Sequence, residues 1–334
     1  TALYEGIRGN DITMIVQEDP DAESTYVVST VVDGRTVDEQ TVTEISGLTA
    51  NAWVTFSGTG SAFTKTAGTA LTGGKDPTIA NADYSAFLTA LEKYSFDVVV
   101  YDGAEQVVIQ AYASFVKRIS ERVGRKCQAV MAAAEESNSE WVISAGSGVK
   151  LSDGTVLTWW LGGAEAGAPY NQSLTYARYP NAVEANPKFT DTEIEEAIQK
   201  GKIVFIDTFD TVKVCTDINT LTSFTVDKQS CFAKNRVMRV LNQFCNDVYR
   251  QFSLYYIGKT NNNDDGRNLL KGWIVGYLNE MQANGGVQNF VPDDVEVLAG
   301  NEIDAVVVNV AIQPVDSIEK IYMTVNVSVN SDNE

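Results

Sequence analysis

The sequence predicts a multidomain α+β protein, and three observations carry that reading. The first 75 residues are short β-branched or aromatic runs separated by glycines. Residues 76–216 alternate between helical and strand patterns, which indicates an α/β layer with a partly parallel sheet. Residues 217–334 hold two long amphipathic helical patterns and then alternating β sequence. At roughly 150 residues per domain, 334 residues suit two or three domains, and we place the boundaries at 75/76 and 216/217.

In the first region the strand candidates are Ile12–Val16, Tyr26–Val32, Arg35–Val42 and Trp53–Phe56. Asp33-Gly34 joins two of them and reads as a hairpin turn. Residues 57–76, rich in Gly, Ser, Thr and Ala, read as a loop or linker. In the middle region a helix is predicted from Ala82 to Tyr94, followed by a buried strand over Phe96–Tyr101. Val108, Ala111, Phe115 and Ile119 then recur at helical spacing, with basic residues at the helix's end to suit its dipole. Apolar runs at Cys127–Ala132, Trp141–Ser144 and Ile203–Ile206 read as strands. Thr190-Asp-Thr-Glu193 is a capping box opening a helix that Gly201 ends.

In the last region a helix is predicted over about 230–256, with Val237, Leu241, Phe244, Val248, Phe252 and Tyr255 on one face. A second carries Leu270, Trp273, Ile274, Tyr277, Leu278 and Met281, and Gly285-Gly286 stops it. Val306, Val308, Val310 and Ile312 then alternate on one face, and Ile318–Val329 is expected to return as a strand after a turn at Gln313–Asp316.

Composition excludes several chemistries. There is no histidine, so Ser-His-Asp and Cys-His catalysis, His-containing zinc sites and His-based pH switches are ruled out. With 44 acidic and 25 basic side chains the net charge is −19, which argues against nucleic acid and anionic membranes as partners. No apolar run is long enough to span a membrane, and the start is not a signal peptide. Cys127, Cys215, Cys231 and Cys245 lack CxxC spacing and are expected to be small buried hydrophobes in a reducing compartment.

No motif for a cofactor, metal or catalytic site survives inspection. Gly74-Lys75-Asp76 lacks the first glycine and the hydroxyl residue of a P-loop. Asn261–Gly266 resembles half a calcium loop, but its twelfth position is Gly272, where a bidentate Glu is needed. We therefore expect no catalytic residues, no cofactor and no metal.

Charge is uneven along the last third. Residues 228–271 hold eight basic and three acidic side chains, a net of +5, whereas residues 272–334 hold one basic and ten acidic, a net of −9. Two readings stay open: neutralisation between neighbouring elements, or a basic face for an acidic partner.

Several stretches together resemble contractile phage tail sheath proteins. They are Gly6-Ile-Arg-Gly-Asn-Asp-Ile12, Ser147–Gly154, Pro187–Thr190 with Glu193, Asp217–Thr225, Lys234–Val237, Tyr256–Lys259 with Gly266-Arg267, and Asn289–Val295. The longest is Ile312-Gln-Pro-Val-Asp-Ser-Ile-Glu-Lys-Ile-Tyr322. The match covers nearly the whole chain and is densest after residue 215, on the pattern of sheaths from Gram-positive myophages, prophages and tailocins.

The resemblance implies a structural subunit that polymerises as stacked hexameric rings around a tail tube. The sheath contracts and drives the tube through a target envelope. It implies a β-barrel or sandwich-like first domain, a subtilisin-like middle domain without catalysis, and a tube-proximal C-terminal domain. It also implies terminal arms that add strands to neighbouring subunits. Implied partners are further copies of the chain, the tail tube, the baseplate and the tail terminator. The implied location is the virion tail, or a tailocin particle, after assembly in the bacterial cytoplasm. Family members carry more chain ahead of the equivalent of Gly6, so an N-terminal arm and the start of the α/β domain are expected to be missing here.

Two surfaces are then expected to matter. The arm, about 318–334, would present Ile318, Ile321, Tyr322, Val325, Val327 and Val329 for strand exchange, the competing reading being a strand folded back into its own sheet. The gain from pairing and burying one arm is similar in size to the entropy of ordering it, so single contacts are weak and many act together. Lys234, Arg236, Arg239 and Arg250 would form a basic face toward the tube or a neighbouring subunit. The rival functions are a hydrolase on the α/β middle region, for which no nucleophile and base are visible, and the sheath of a related contractile injection machine.

Overall fold

The computed structural model describes residues 1–3, 6–151, 154–156 and 159–327. The chain forms two compact units, Thr1–Ala80 and Asn81–Glu334.

The first unit is built on one antiparallel sheet. Strands β1 (Thr13–Glu18), β2 (Tyr26–Val32), β3 (Arg35–Val42) and β4 (Thr66–Ala70) lie in the order β3-β2-β1-β4. The β2–β3 hairpin turns on Asp33 and Gly34, whose φ angles of 49° and 71° match a two-residue left-handed turn. Two expectations are corrected here. The stretch 57–76 is not only linker, because β4 pairs with β1. Its Thr-Ala-Gly-Thr-Ala sequence carries almost no apolar signal, so only the neighbouring strand edge reveals it as β. Trp53–Phe56 forms no strand beyond a bridge from Val54 to Ala2. There the Asn51 Oδ1 accepts the amides of Trp53 and Val54 at 2.9 and 2.8 Å, so a side-chain turn has taken the ladder's donors.

The second unit opens with α1 (Asn81–Leu91), β5 (Val98–Tyr101), α2 (Gln106–Arg118), β6 (Gln128–Ala132) and β7 (Val142–Ala145). It continues through β8 (Gly148–Leu151), β9 (Gly154–Val156), α3 (Trp159–Gly167), β10 (Glu184–Asn186), α4 (Asp191–Gln199), β11 (Lys202–Ile203), β12 (Phe205–Thr208) and β13 (Thr211–Val214). The parallel sheet runs β11-β7-β6-β5. Alternate residues face opposite layers. Val99, Tyr101, Ala129, Met131 and Val142 pack under α1 and α2, while Val130 and Ile143 pack with Leu161 of α3 and with Ile203 and Phe205. Burial on both faces explains why these strands read as continuous apolar runs. The capping box at Thr190 and Glu193 opens α4 as predicted.

The C-terminal part consists of α5 (Asn235–Tyr255), α6 (Asp264–Ala283), β14 (Val295–Ala299) and β15 (Val306–Val310). The two helices and the β14–β15 hairpin share a core of Val240, Phe244, Leu270, Ile274, Leu278, Met281 and Val295. The helix predicted from about 230 starts at Asn235. A short 3₁₀ turn, Ser230–Ala233, precedes it, and Lys234 is extended because its backbone bridges to Ile218. The polar stretch that resembled a calcium loop instead starts α6, with Asn263 Oδ1 accepting the Gly266 amide at 2.9 Å. Position 266 must be glycine, since a Cβ there would lie 2.0 Å from the Asn261 carbonyl oxygen.

Among the described residues, no helix is long and apolar enough to cross a membrane. Cys127 is buried, but Cys231 is exposed, against expectation, because it lies in the 3₁₀ turn outside α5.

Candidate assembly surfaces

The four basic residues singled out from the sequence do not share a face. Arg239 is only 8% exposed and points into the body. Its guanidinium pairs with Glu165 of α3 and, at 2.6 Å, with Asp217, and it donates to the Gln172 carbonyl at 2.7 Å. Lys234 pairs with Glu319. Arg236 is half-buried and reaches the Gly285 carbonyl. Only Arg250 is exposed. The expected basic face is therefore corrected. Four consecutive residues, Val237–Val240, are buried, and the cations Lys234 and Arg239 face carboxylates of the same chain.

This buried cluster is densely bonded. Asp217 accepts the Leu174 amide and the Asn235 side-chain amide, both at 2.8 Å. Asn235 also donates to the Ile218 carbonyl at 3.0 Å and to Glu165 at 3.2 Å. Burial and the neighbouring Asp217 charge push the Glu165 carboxyl well above the usual carboxylate range. Burial acts on Asp217 too, but Arg239 and the Leu174 amide outweigh it and hold Asp217 below its usual value. Glu165 escaped the sequence reading because the Gly-rich α3 gives no helical pattern and its partner lies 74 positions away.

The arm follows a tethered stretch. Val315 N donates to the Gly286 carbonyl at 2.9 Å, Gln288 N donates to that of Gln313 at 3.0 Å, and Pro314 bridges to Val287. These ties lead the chain away from β15. The expected strand over Ile318–Val329 consequently does not form within 318–327, where no strand neighbour exists in the same chain. Ile318, Ile321, Tyr322, Val325 and Val327 are between 72 and 98% exposed. Val329 lies outside the described residues.

Beside β15 is an apolar groove of about 690 Å³. Leu241, Phe244, Val248 and Phe252 of α5 form one wall, and Val306, Val308, Val310 and Ile312 form the other. Among the described residues β15 pairs only with β14, so its outer edge is open.

One arrangement in the middle region bears on hydrolytic chemistry. Ser144, at the end of β7, is fully buried, accepts the Ala134 amide at 3.0 Å and donates to Glu135, which pairs with Lys202 at 2.5 Å. A hydroxyl so enclosed has no path to a substrate. Among the described residues no group of three His, Cys, Asp or Glu side chains could hold a metal.

The chain thus combines a β unit, an α/β layer covered on both faces and a helical domain followed by a segment exposed over 320–327. Residues 1–76 match the phage tail sheath protein beta-sandwich domain, residues 78–220 the phage tail sheath protein central domain, and residues 227–328 the phage tail sheath C-terminal domain. The chain is 35% identical to the phage-like element PBSX protein XkdK of Bacillus subtilis, over 98% of this chain and 77% of that one. It is 43% identical to a sheath tail protein of known structure from Desulfitobacterium hafniense, with a TM-score of 0.85 over 98% of this chain and 79% of that one. The helical sheath of the anti-feeding prophage in its contracted state shares the fold, with a TM-score of 0.57 at 11% identity over 75% of this chain and 76% of that one. The chain belongs to the phage tail sheath family, and its role is that of a structural subunit of a contractile tail.

Proposed function

We propose that copies of this chain polymerise as stacked hexameric rings around a tail tube, each subunit lending its C-terminal arm to a neighbour. The observation that carries this reading is that one chain holds both an exposed apolar arm and an open strand edge. Ile321, Met323, Val325 and Val327 fall on one side of an extended chain, as do Val306, Val308, Val310 and Ile312 along the groove wall. An arm from a second copy, laid beside β15, would satisfy that edge and bury its own apolar side against α5.

Within this reading the chain divides at about 75/76 and 216/217 into a β domain, a subtilisin-like scaffold domain without catalysis and a tube-proximal domain. Arg250, the exposed member of the basic set, is the one we assign to a contact with the tube or a neighbouring subunit. The baseplate and tail terminator would bound the polymer at its two ends, and assembly would take place in the bacterial cytoplasm.

The test is truncation after Glu319. The shortened chain should keep the thermal midpoint of the parent and should fail to form striated tubes in negative-stain images. Normal tubes would overturn the arm reading.

A further inference from the structure

We propose that Glu319 is the anchor of the arm: its carboxylate, gripped by Lys234 and Thr175, fixes the point and direction at which the chain leaves the body, so that residues 320–327 pivot about it. The proposal rests on the arm reading above and assigns a positioning residue to it.

Three observations converge on this position. First, among the described residues Glu319 is the last side chain of the tail held by the body. It is only 11% exposed, although Ile318 before it and Ile321 after it are almost fully in solvent. Second, its carboxylate is well supplied with donors. Lys234 Nζ bonds Oε2, while the Thr175 hydroxyl donates to Oε1 at 2.6 Å and that of Ser317 at 3.3 Å. Third, these donors stand on stiff ground. Thr175 Oγ1 also accepts the Asp217 amide at 2.9 Å, and the Asp217 carboxylate is locked to Arg239 and Asn235. Lys234 directly precedes α5. The arm root is thus tied through one shared hydroxyl to the buried ion cluster.

An ordinary surface ion pair would not deserve this role, because such pairs contribute little. This one differs in being mostly shielded from water and in including a hydroxyl donor, so loss of the carboxylate leaves an enclosed ammonium unpaired. A root fixed in this way gives every arm of a polymer the same starting vector. Any change in the angle between neighbouring subunits is then taken up beyond Glu319, within the arm itself.

The test uses the full chain and two variants, Glu319→Gln and the reversed pair Lys234→Glu with Glu319→Lys. Amide hydrogen exchange reads local opening at Val315 and Gln288, whose bonds tether the root. Glu319→Gln should speed exchange there by about tenfold or more, with α6 interior amides unchanged. The reversed pair should bring exchange back to within about threefold of the parent. In the same variants, the concentration needed for tube formation should rise about tenfold with Glu319→Gln and fall back with the reversed pair. Unchanged exchange at Val315, acceleration shared equally by the α6 core, or parental assembly by Glu319→Gln would each overturn the anchor. The chain truncated after Glu319 separates the two proposals. It retains the anchor, so parental exchange at Val315 is expected whether or not the arm is what links subunits.

Discussion

Asp217, Glu165 and Arg239 place two carboxyls around one guanidinium in a site with almost no solvent. With both ionised, the cluster would carry a net negative charge in a low-dielectric interior. The opposite pKa displacements of the two acids ease this, since Arg239 favours the ionised form of Asp217 while burial and the Asp217 charge favour the protonated form of Glu165. Asp217→Asn should therefore leave a buried cation unbalanced and cost about 3–5 kcal/mol in urea denaturation at neutral pH. Glu165→Gln is a different case, because it keeps the shape and the neutral state. The folded protein binds the Glu165 proton more tightly than the unfolded chain does. Its contribution is therefore complete below the ordinary value of 4.5 and is lost as pH rises toward the folded value. Asp217 has the reverse sign, contributing above its ordinary value of 3.8 and fading as pH falls through its folded value. Denaturation of Glu165→Gln and parent at pH 5 and pH 8 should show the variant gaining relative stability at the higher pH. A pH-independent difference would mean that Glu165 is ionised in the fold. None of this cluster was legible in the sequence. A helical wheel places Arg239 on the polar side of α5, but it cannot show that α3 and the Asp217 loop cover that side.

At the scale of elements, local chemistry was more readable than pairing. The Asp33-Gly34 turn and the Thr190 cap lie in the structure where the sequence puts them, because each is satisfied by residues within a few positions. Strand β4 was missed because its small residues acquire a β identity only from the edge of β1. The sequence predicts a strand over Ile318–Val329, with alternation at its end from Val325, whereas 318–327 is unpaired in its own chain. A period of two states that a segment can present one apolar side; it does not name the strand that will receive it. The start of α6 offers a direct check on local capping. Asn263 satisfies the Gly266 amide with its side chain, and Asp264 and Asp265 add favourable charge in the first turn. Asn263→Ala should cost about 0.5–2 kcal/mol of stability in thermal or urea unfolding. A cost indistinguishable from zero would show that the ties from Asn262 to the Ile303 and Ala305 carbonyls, at 2.9 and 2.8 Å, hold the helix start without the cap.

For the whole molecule the question is how a chain of net charge −19 comes to pack against copies of itself. The basic stretch 228–271 softens this less than its composition suggests. Lys228 is spent on Glu140, Lys234 on Glu319, Arg239 on Glu165 and Asp217, and Arg267 on Asp264. Four of the eight basic side chains over 228–271 are thus paired with carboxylates of the same chain, and the chain's net negative charge remains. Like-charged subunits repel over the screening distance, which shrinks from about 30 Å at 0.01 M salt to about 10 Å at 0.1 M. The apolar contact proposed between arm and groove is not weakened by that screening. Polymerisation should therefore be favoured by salt. Sedimentation across this range should show the concentration needed for assembly falling as salt rises. The opposite trend would mean that attraction between unlike charges, with Arg250 and its neighbours facing an acidic partner, outweighs the burial of the arm in holding subunits together.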